Sequence, residues 1–211
     1  MLLTHPYFQI ILSIFLGYLF GCIQTSYLLG KFKFGVNVKS EGSKNAGASN
    51  SVLLFGWTIG IFVGFIDMLK AYLPMLIISF IYPNYEDIFF LVSLAAGGAI
   101  LGHIFPFFMN FDGGKGMACY LGMLFYFGFS FGLIICGSAA ILLMITNYVA
   151  AATIIILIAV PLFFQFFCSD VSLSFILSMW CLSIIIIVKH RENIFKIFKG
   201  TETTFWSVFK K

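Results

Sequence analysis

Long apolar runs follow one another through almost the whole chain, separated only by short polar segments, and this limits what the chain can fold into. Seven runs can be drawn, at roughly 7–30, 57–82, 88–109, 117–130, 132–148, 150–167 and 171–189. A helix of about 20 apolar residues crosses a hydrocarbon core ~30 Å thick, and within lipid only helices and closed barrels satisfy their own backbone. Charged residues make up 9% of the 211, where a soluble domain carries about a quarter, so the outer surface is expected to face lipid. The sequence therefore predicts an all-α polytopic membrane protein with seven transmembrane helices, forming one membrane-embedded domain over residues 1–211. The fourth run is short. Only Gly128-Phe129-Ser130-Phe131-Gly132 divides it from the fifth, so the two also read as one broken helix, with Gly132 and Gly137 favouring a tight turn. The first run lacks a basic leader and a cleavage site, and reads as a retained span, not a signal peptide.

Charge placement gives the direction. With the N-terminus outside, seven spans put segments 31–56, 110–116, the turn near 149 and the tail from 189 on the cytoplasmic side. Those segments hold eleven of the 12 basic residues: Lys31, Lys33, Lys39, Lys44, Lys115, Lys189, Arg191, Lys196, Lys199, Lys210 and Lys211. The outer segments carry acids such as Glu86, Asp87 and Asp170 but no Lys or Arg. Basic residues collect on the cytoplasmic flank, which supports an odd span number and a cytoplasmic C-terminus. The remaining cation, Lys70, stands three residues after Asp67 within the second span, so the two can pair on one helix face. Such groups face the bundle interior, either as an internal ion pair or beside a substrate. Ala95, Ala96, Gly97, Gly98 and Gly102 predict close helix contact along the third span. The formal charge of +4 reports orientation before partners, and no nucleic acid is expected. Cys22, Cys119, Cys136, Cys168 and Cys181 form no Cys-x-x-Cys pair and are read as packing residues, with no metal site.

Three polar clusters fall on the same predicted face. Gly42-Ser43-Lys44-Asn45-Ala46-Gly47-Ala48-Ser49-Asn50 is either an ordinary loop or a nest of backbone N–H groups for an anion. Gly102-His103-Ile104-Phe105-Pro106 leads into Asp112-Gly113-Gly114-Lys115-Gly116 at a helix start, a cradle of backbone donors with one cation. It is not a nucleotide-binding P-loop, because neither the preceding strand nor the Gly-x4-Gly-Lys-Ser/Thr spacing is present. His103 can equally be a structural histidine. His190-Arg191-Glu192-Asn193, followed by Lys199-Gly200-Thr201-Glu202, is a basic patch against anionic lipid or something chemically richer. Together they suit an anionic headgroup or phosphate whose apolar tail runs down among the helices.

These stretches, with Asp67 and Lys70, resemble in order and spacing the bacterial acyl-phosphate-dependent glycerol-3-phosphate acyltransferases of the PlsY type, across nearly the whole chain. The resemblance implies a seven-helix enzyme of the bacterial inner membrane with its active site facing the cytoplasm. It would move a fatty acyl group from acyl phosphate to the 1-hydroxyl of glycerol 3-phosphate, giving lysophosphatidic acid and phosphate. No cofactor is implied, and the protein would act as a monomer among membrane lipids. By position, Ser43, Lys115, His190 and Asn193 would be the catalytic set. Gly42, Lys44, Asn45, Gly47, Ser49, Asn50, His103, Gly113, Gly114, Gly116 and Glu192 would bind substrate. The donor's own phosphate would take the proton, since no serine–histidine–acid arrangement is present.

The sequence departs from the family pattern where arginine is usual at Leu53 and at Asn147, and where Ala150 and Ala151 replace residues that include a hydroxyl. Lys44 stands for a glycine and Ser49 for a threonine, and lysine lacks arginine's bidentate fork. These positions bear on the acyl acceptor, so one rival reading keeps the fold and changes the acceptor. A second rival is a non-catalytic lipid- or partner-binding homologue. A transporter is disfavoured, because its site would lie near the midplane.

Overall fold

The computed structural model describes residues 5–207; Lys210 and Lys211, which the charge count included, lie outside them. Among the described residues every regular element is helical. In chain order they are α1 (Pro6–Gly21), α2 (Thr25–Lys33), α3 (Ala48–Phe55), α4 (Trp57–Ile81), α5 (Ile88–Ile104), α6 (Met117–Leu124), α7 (Phe129–Thr146), α8 (Val149–Phe167), α9 (Leu173–Lys189) and α10 (Arg191–Phe198).

Five stretches are long and apolar enough to cross a membrane: Pro6–Lys33, Trp57–Ile81, Ile88–Met109, Phe129–Thr146 and Val149–Phe167. The helix α9 reaches that length only when joined to α10 across a 53° bend at His190, which would make a sixth. The run expected as the fourth span is the short Met117–Phe127. At ~1.5 Å per residue it reaches about 16 Å, roughly half of a 30 Å core. Its helix tightens into a 3₁₀ turn at Phe125–Phe127 and breaks at Gly128, whose φ of 143° suits glycine. The turn thus falls at Gly128, and Gly132 and Gly137 lie inside α7.

The helix α5 is the centre of the bundle. Leu91, Val92, Ala95, Ala96, Ala99, Ile100 and Ile104 are all fully buried on it. Its small residues let α1 approach backbone to backbone: a methyl group built on Gly98 would overlap the carbonyl of Ile14, and one on Gly102 that of Tyr18. With lipid as apolar as the helices themselves, such contact area replaces the hydrophobic drive. At one end of the bundle, Asp87 caps α5 by accepting from Phe90 N at 3.1 Å and also receives the Ser172 hydroxyl. Ser172 in turn caps α9. Above these caps Phe127, Phe164 and Phe175 meet with ring centroids 5.1–5.3 Å apart.

Asp67 and Lys70 are buried and paired at 2.9 Å, with Lys70 Nζ also donating to Ile23 O at 2.9 Å. Cys22 and Cys119 are buried, Cys136 and Cys168 half-buried, and Cys181 faces outward from α9, so the expectation that all five pack inside fails for Cys181. Its thiol is small and apolar enough to face lipid.

The α1–α5 contact is tested by two substitutions. Gly98→Leu is expected to cost about 1–3 kcal/mol through overpacking, lowering the thermal midpoint in detergent. Gly137→Leu, where an added Cβ meets nothing within 4 Å, is expected to stay within ~0.5 kcal/mol.

Candidate active site

At the other end of the bundle from the Phe127 cluster, the loops are tied to the end of α5. His103 O accepts from Gly114 N at 2.9 Å and from Gln24 Nε2 at 3.1 Å, and Ile104 O accepts from Gly113 N at 3.0 Å. A methyl group on Gly114 would overlap the His103 ring, so only glycine lets the loop lie this close. Lys39 reaches across to pair with Asp112 at 2.8 Å and donates to Gly113 O at 3.3 Å. The loop after α2 is thereby joined to the loop that carries Lys115.

That first loop is held from within. Asn50 is fully buried; its Oδ1 accepts from Ser43 N at 2.7 Å, and its Nδ2 donates to Val38 O at 2.9 Å and Glu41 O at 3.2 Å. Asn50 therefore spends its amide on loop geometry and lines neither cavity described below, unlike the binding role expected for it. Ser51 anchors the following helix through Ser26 at 2.7 Å.

From the far side, His190 ends α9 with Nδ1 at 2.8 Å from Ile186 O. A carbonyl only accepts, so Nδ1 carries the proton and Nε2 is left as an acceptor. Burial pushes the His190 pKa down to about 4, against the pull of that backbone hydrogen bond, with Lys115 adding to the fall. The ring is neutral at pH 7. One turn further, Asn193 takes a hydrogen bond from Lys115 Nζ on its Oδ1 and gives one to Glu202 Oε1 at 2.6 Å from its Nδ2. Burial lowers the Lys115 pKa from the usual lysine range, Glu202 and Glu192 pull it back up, and Lys196 and Lys189 lower it further.

Two cavities share these residues. One, of about 520 Å³, is polar: Lys39, Lys44, Lys115, Lys189, Arg191 and Lys196 line it against Asp112, Glu192 and Glu202, together with Gly42, Gly113 and Gly114. The second, of about 430 Å³, is an apolar groove walled by Val52, Leu53, Trp57, Ile61, Met117, Leu121, Leu143, Val149, Ala150 and Phe205. Gly47, Ser49, Gly116, His103, Asp67 and His190 also face the groove. Ser43, Asn45, Lys115, Asn193, Glu202 and Thr203 line both. Of the residues expected from the sequence, all but Asn50 border one cavity or the other.

Several residues at the junction were not anticipated. Gln24 shows no sequence signal. Glu202 stands in the quoted tail cluster, but nothing in its spacing indicates that it reaches Asn193. Lys189 and Lys196 looked like topology markers only. Leu53 and Ala150, two of the departures noted above, face the apolar groove, and Asn147 ends α7. Among the described residues no three His, Cys, Asp or Glu side chains gather as metal ligands would.

Fold and junction define a class of protein: a polytopic helical membrane protein whose site joins a cationic cavity to an apolar groove. Residues 11–200 match the family described as glycerol-3-phosphate acyltransferase. Glycerol-3-phosphate acyltransferase 1 of Oceanobacillus iheyensis is 35% identical over 206 residues, covering 95% of this chain and 97% of the relative. The Fusobacterium nucleatum glycerol-3-phosphate acyltransferase is 35% identical over 192 residues, covering 91% and 96%. Among solved structures, the glycerol 3-phosphate form of PlsY, an integral membrane glycerol 3-phosphate acyltransferase, superposes with a TM-score of 0.83 at 31% identity, covering 93% of this chain and 95% of that one. Its lysophosphatidic acid form gives 0.80 at 30% identity, covering 96% and 99%. The chain belongs to the glycerol-3-phosphate acyltransferase family. It is an acyltransferase.

The neutrality of His190 can be read directly. In an NMR titration, with the signal assigned by its loss in His190→Gln, the ring is expected to keep its neutral-form shift until pH falls towards about 4. Protonation near the ordinary 6.5 would contradict the burial described. Asn50→Leu strands the Ser43 N–H and two carbonyls, each worth about 1–3 kcal/mol if left buried and unpaired. It is expected to make residues 39–47 sensitive to protease.

Proposed function

We propose that this protein transfers a fatty acyl group from acyl phosphate to the 1-hydroxyl of glycerol 3-phosphate, releasing lysophosphatidic acid and inorganic phosphate. The observation that carries the reading is the shared wall of the two cavities. A substrate that is half phosphate and half hydrocarbon needs a cationic cavity and an apolar groove with its reacting carbon where they meet. Three residues of that wall, Ser43, Lys115 and Asn193, with His190 beside them in the groove, make up the catalytic set read from the sequence.

An acyl phosphate is already activated, so the protein's part is orientation and fixed donors for developing charge. In the proposed step the acceptor's 1-hydroxyl oxygen bonds to the acyl carbon, the carbon–oxygen bond to phosphate breaks, and the hydroxyl proton leaves with the phosphate. The side chains of Ser43 and Asn45 and the backbone donors of residues 45–47 hold the donor phosphate, since Ser43 N is taken by Asn50 and Lys44 N by Glu41 O. Lys115 and Asn193 hold glycerol 3-phosphate, and the neutral Nε2 of His190 accepts from a substrate hydroxyl. Glu202 orients the Asn193 amide, and Glu192 contributes to the same wall. His103 supports the loop through its carbonyl and ring.

The topology that goes with this reading has seven membrane passages, with Met117–Phe127 as a short fourth, the N-terminus outside and the site facing the cytoplasm of a bacterial inner membrane. Gathering Lys39, Lys44, Lys115, Lys189, Arg191 and Lys196 at one cavity supports it, since basic flanks stay cytoplasmic. All 211 residues act as one domain, and one chain supplies both cavities, in keeping with a monomer. A second reading, transfer to a different acceptor, is favoured by Leu53 facing the groove with an aliphatic side chain in place of a cation.

Purified protein given palmitoyl phosphate and radiolabelled glycerol 3-phosphate is expected to form labelled lysophosphatidic acid. Lys115→Ala should lower the rate by about 10²–10³-fold. Phosphate release without consumption of glycerol 3-phosphate would instead support the second reading, and inertness towards acyl phosphate would overturn both.

A further inference from the structure

The segment that follows α10 lies along both cavities, although nothing in its composition would make it fold there. Its start is fixed where Thr201 N donates to Lys196 O at 2.9 Å, after a turn at Gly200 with φ 67°. Its end is fixed on one residue of a different helix pair. Asn147, between α7 and α8, accepts from Phe205 N on its backbone oxygen at 2.8 Å and from Trp206 N on its Oδ1 at 2.9 Å. Asn147 itself has φ 61°, a conformation asparagine tolerates, and its own N–H caps α7 through Leu143 O at 2.9 Å. Between the two ties, Thr203, Thr204 and Phe205 line the apolar groove opposite Leu143 and Val149 of α7 and α8. The Phe205 ring meets Trp57, at the start of α4, edge-on at 6.1 Å.

We infer that Asn147 is a positioning residue for the apolar groove: it clasps segment 201–206 against the α7–α8 turn, so that the segment forms a fixed wall for the acyl chain. It touches no reacting group and acts through the wall it holds. The inference rests on the acyl-phosphate reading for what occupies the groove. Loosening this wall admits water along the chain, so it weakens the hold on the lipid substrate. The headgroup cavity keeps its Lys115–Asn193–Glu202 contacts, because the near end of the segment is held on α10 through Thr201 N to Lys196 O and through Glu202 to Asn193, so affinity for the water-soluble substrate is left alone.

Asn147→Gly tests this with little risk to folding, since glycine suits the positive φ and only the bond to Trp206 N is removed. Asn147→Asp keeps an acceptor oxygen at the same place and is the rescue. In Asn147→Gly, amide hydrogen exchange at Trp206 is expected to speed up about three- to tenfold, the range for losing one hydrogen bond. KM for palmitoyl phosphate should rise by a similar factor, while kcat and KM for glycerol 3-phosphate stay within about twofold. Asn147→Asp should restore both the exchange rate and KM. A general structural role would instead reduce kcat or move both KM values together, and that result overturns the inference. Unchanged exchange at Trp206, or failure of Asn147→Asp to rescue, overturns it as well. If the unmodified protein does not turn over palmitoyl phosphate, the proposed substrate falls, and the exchange measurements still decide whether the clasp exists.

Discussion

The carbonyl end of α5 is the anchor on which the rest of the site depends. Backbone at membrane depth must find hydrogen-bond partners within the protein, and here the exposed carbonyls of a helix terminus supply them. His103 O and Ile104 O take up the N–H groups of Gly114 and Gly113, and Gln24 closes the same carbonyl from the α1–α2 side. Lys115 sits one residue beyond this seam. Its position follows from how α5 ends, and α5 is held by the close approach of α1, while the Asp67–Lys70 pair in the neighbouring helix is tied to Ile23 O just after α1. That pair is 3.8 Å from His103 Nδ1 through Asp67 Oδ1, so the charge buried in the bundle lies directly beneath the seam. Removing one member of such a pair leaves an uncompensated charge, costing about 3–5 kcal/mol.

From this seam the site is assembled by short ties between distant parts of the chain. Lys39 to Asp112 joins the first loop to the second, and Lys115 through Asn193 to Glu202 joins the second to the tail. Each tie is modest; an ordinary hydrogen bond contributes about 0.5–1.5 kcal/mol net. Their value is geometric. Chemistry on an activated acyl donor needs little proton transfer from the protein and much from prepositioned dipoles, and a network already satisfied before substrate arrives does not reorganise when charge develops. The neutral His190 fits the same logic, because a ring with Nδ1 committed to Ile186 offers a fixed acceptor and not a mobile proton.

Much of this was legible in the sequence, and the exceptions have physical causes. The small residues of α5 announced a helix contact, and Asp67 with Lys70 announced a pair, because both depend on local helix spacing. The polar clusters were visible because an apolar chain has few other places for glycine, serine and lysine. Asn50 was read as a binding residue and its amide is found stapling its own loop, because a buried amide of that kind has the same composition as one that waits for a ligand. Met117–Phe127 was read as a longer span because hydropathy continues unbroken through Phe125–Phe127, while the helix does not. The tail offered no periodicity at all. Its path is set by Asn147, about sixty residues earlier in sequence, and no local pattern reports that.

The central claim is that a phosphate and a hydrocarbon chain are held at one junction by three loops anchored on α5. An experimental structure with a non-hydrolysable acyl phosphonate tests it most directly. The account predicts the phosphonate within hydrogen-bond distance of the Ser43 hydroxyl or the backbone donors of residues 45–47, its chain between Leu53 and Leu121, and its carbonyl carbon beside Lys115 and His190. A chain lying outside the bundle against α7, or a phosphonate away from the junction, would contradict it.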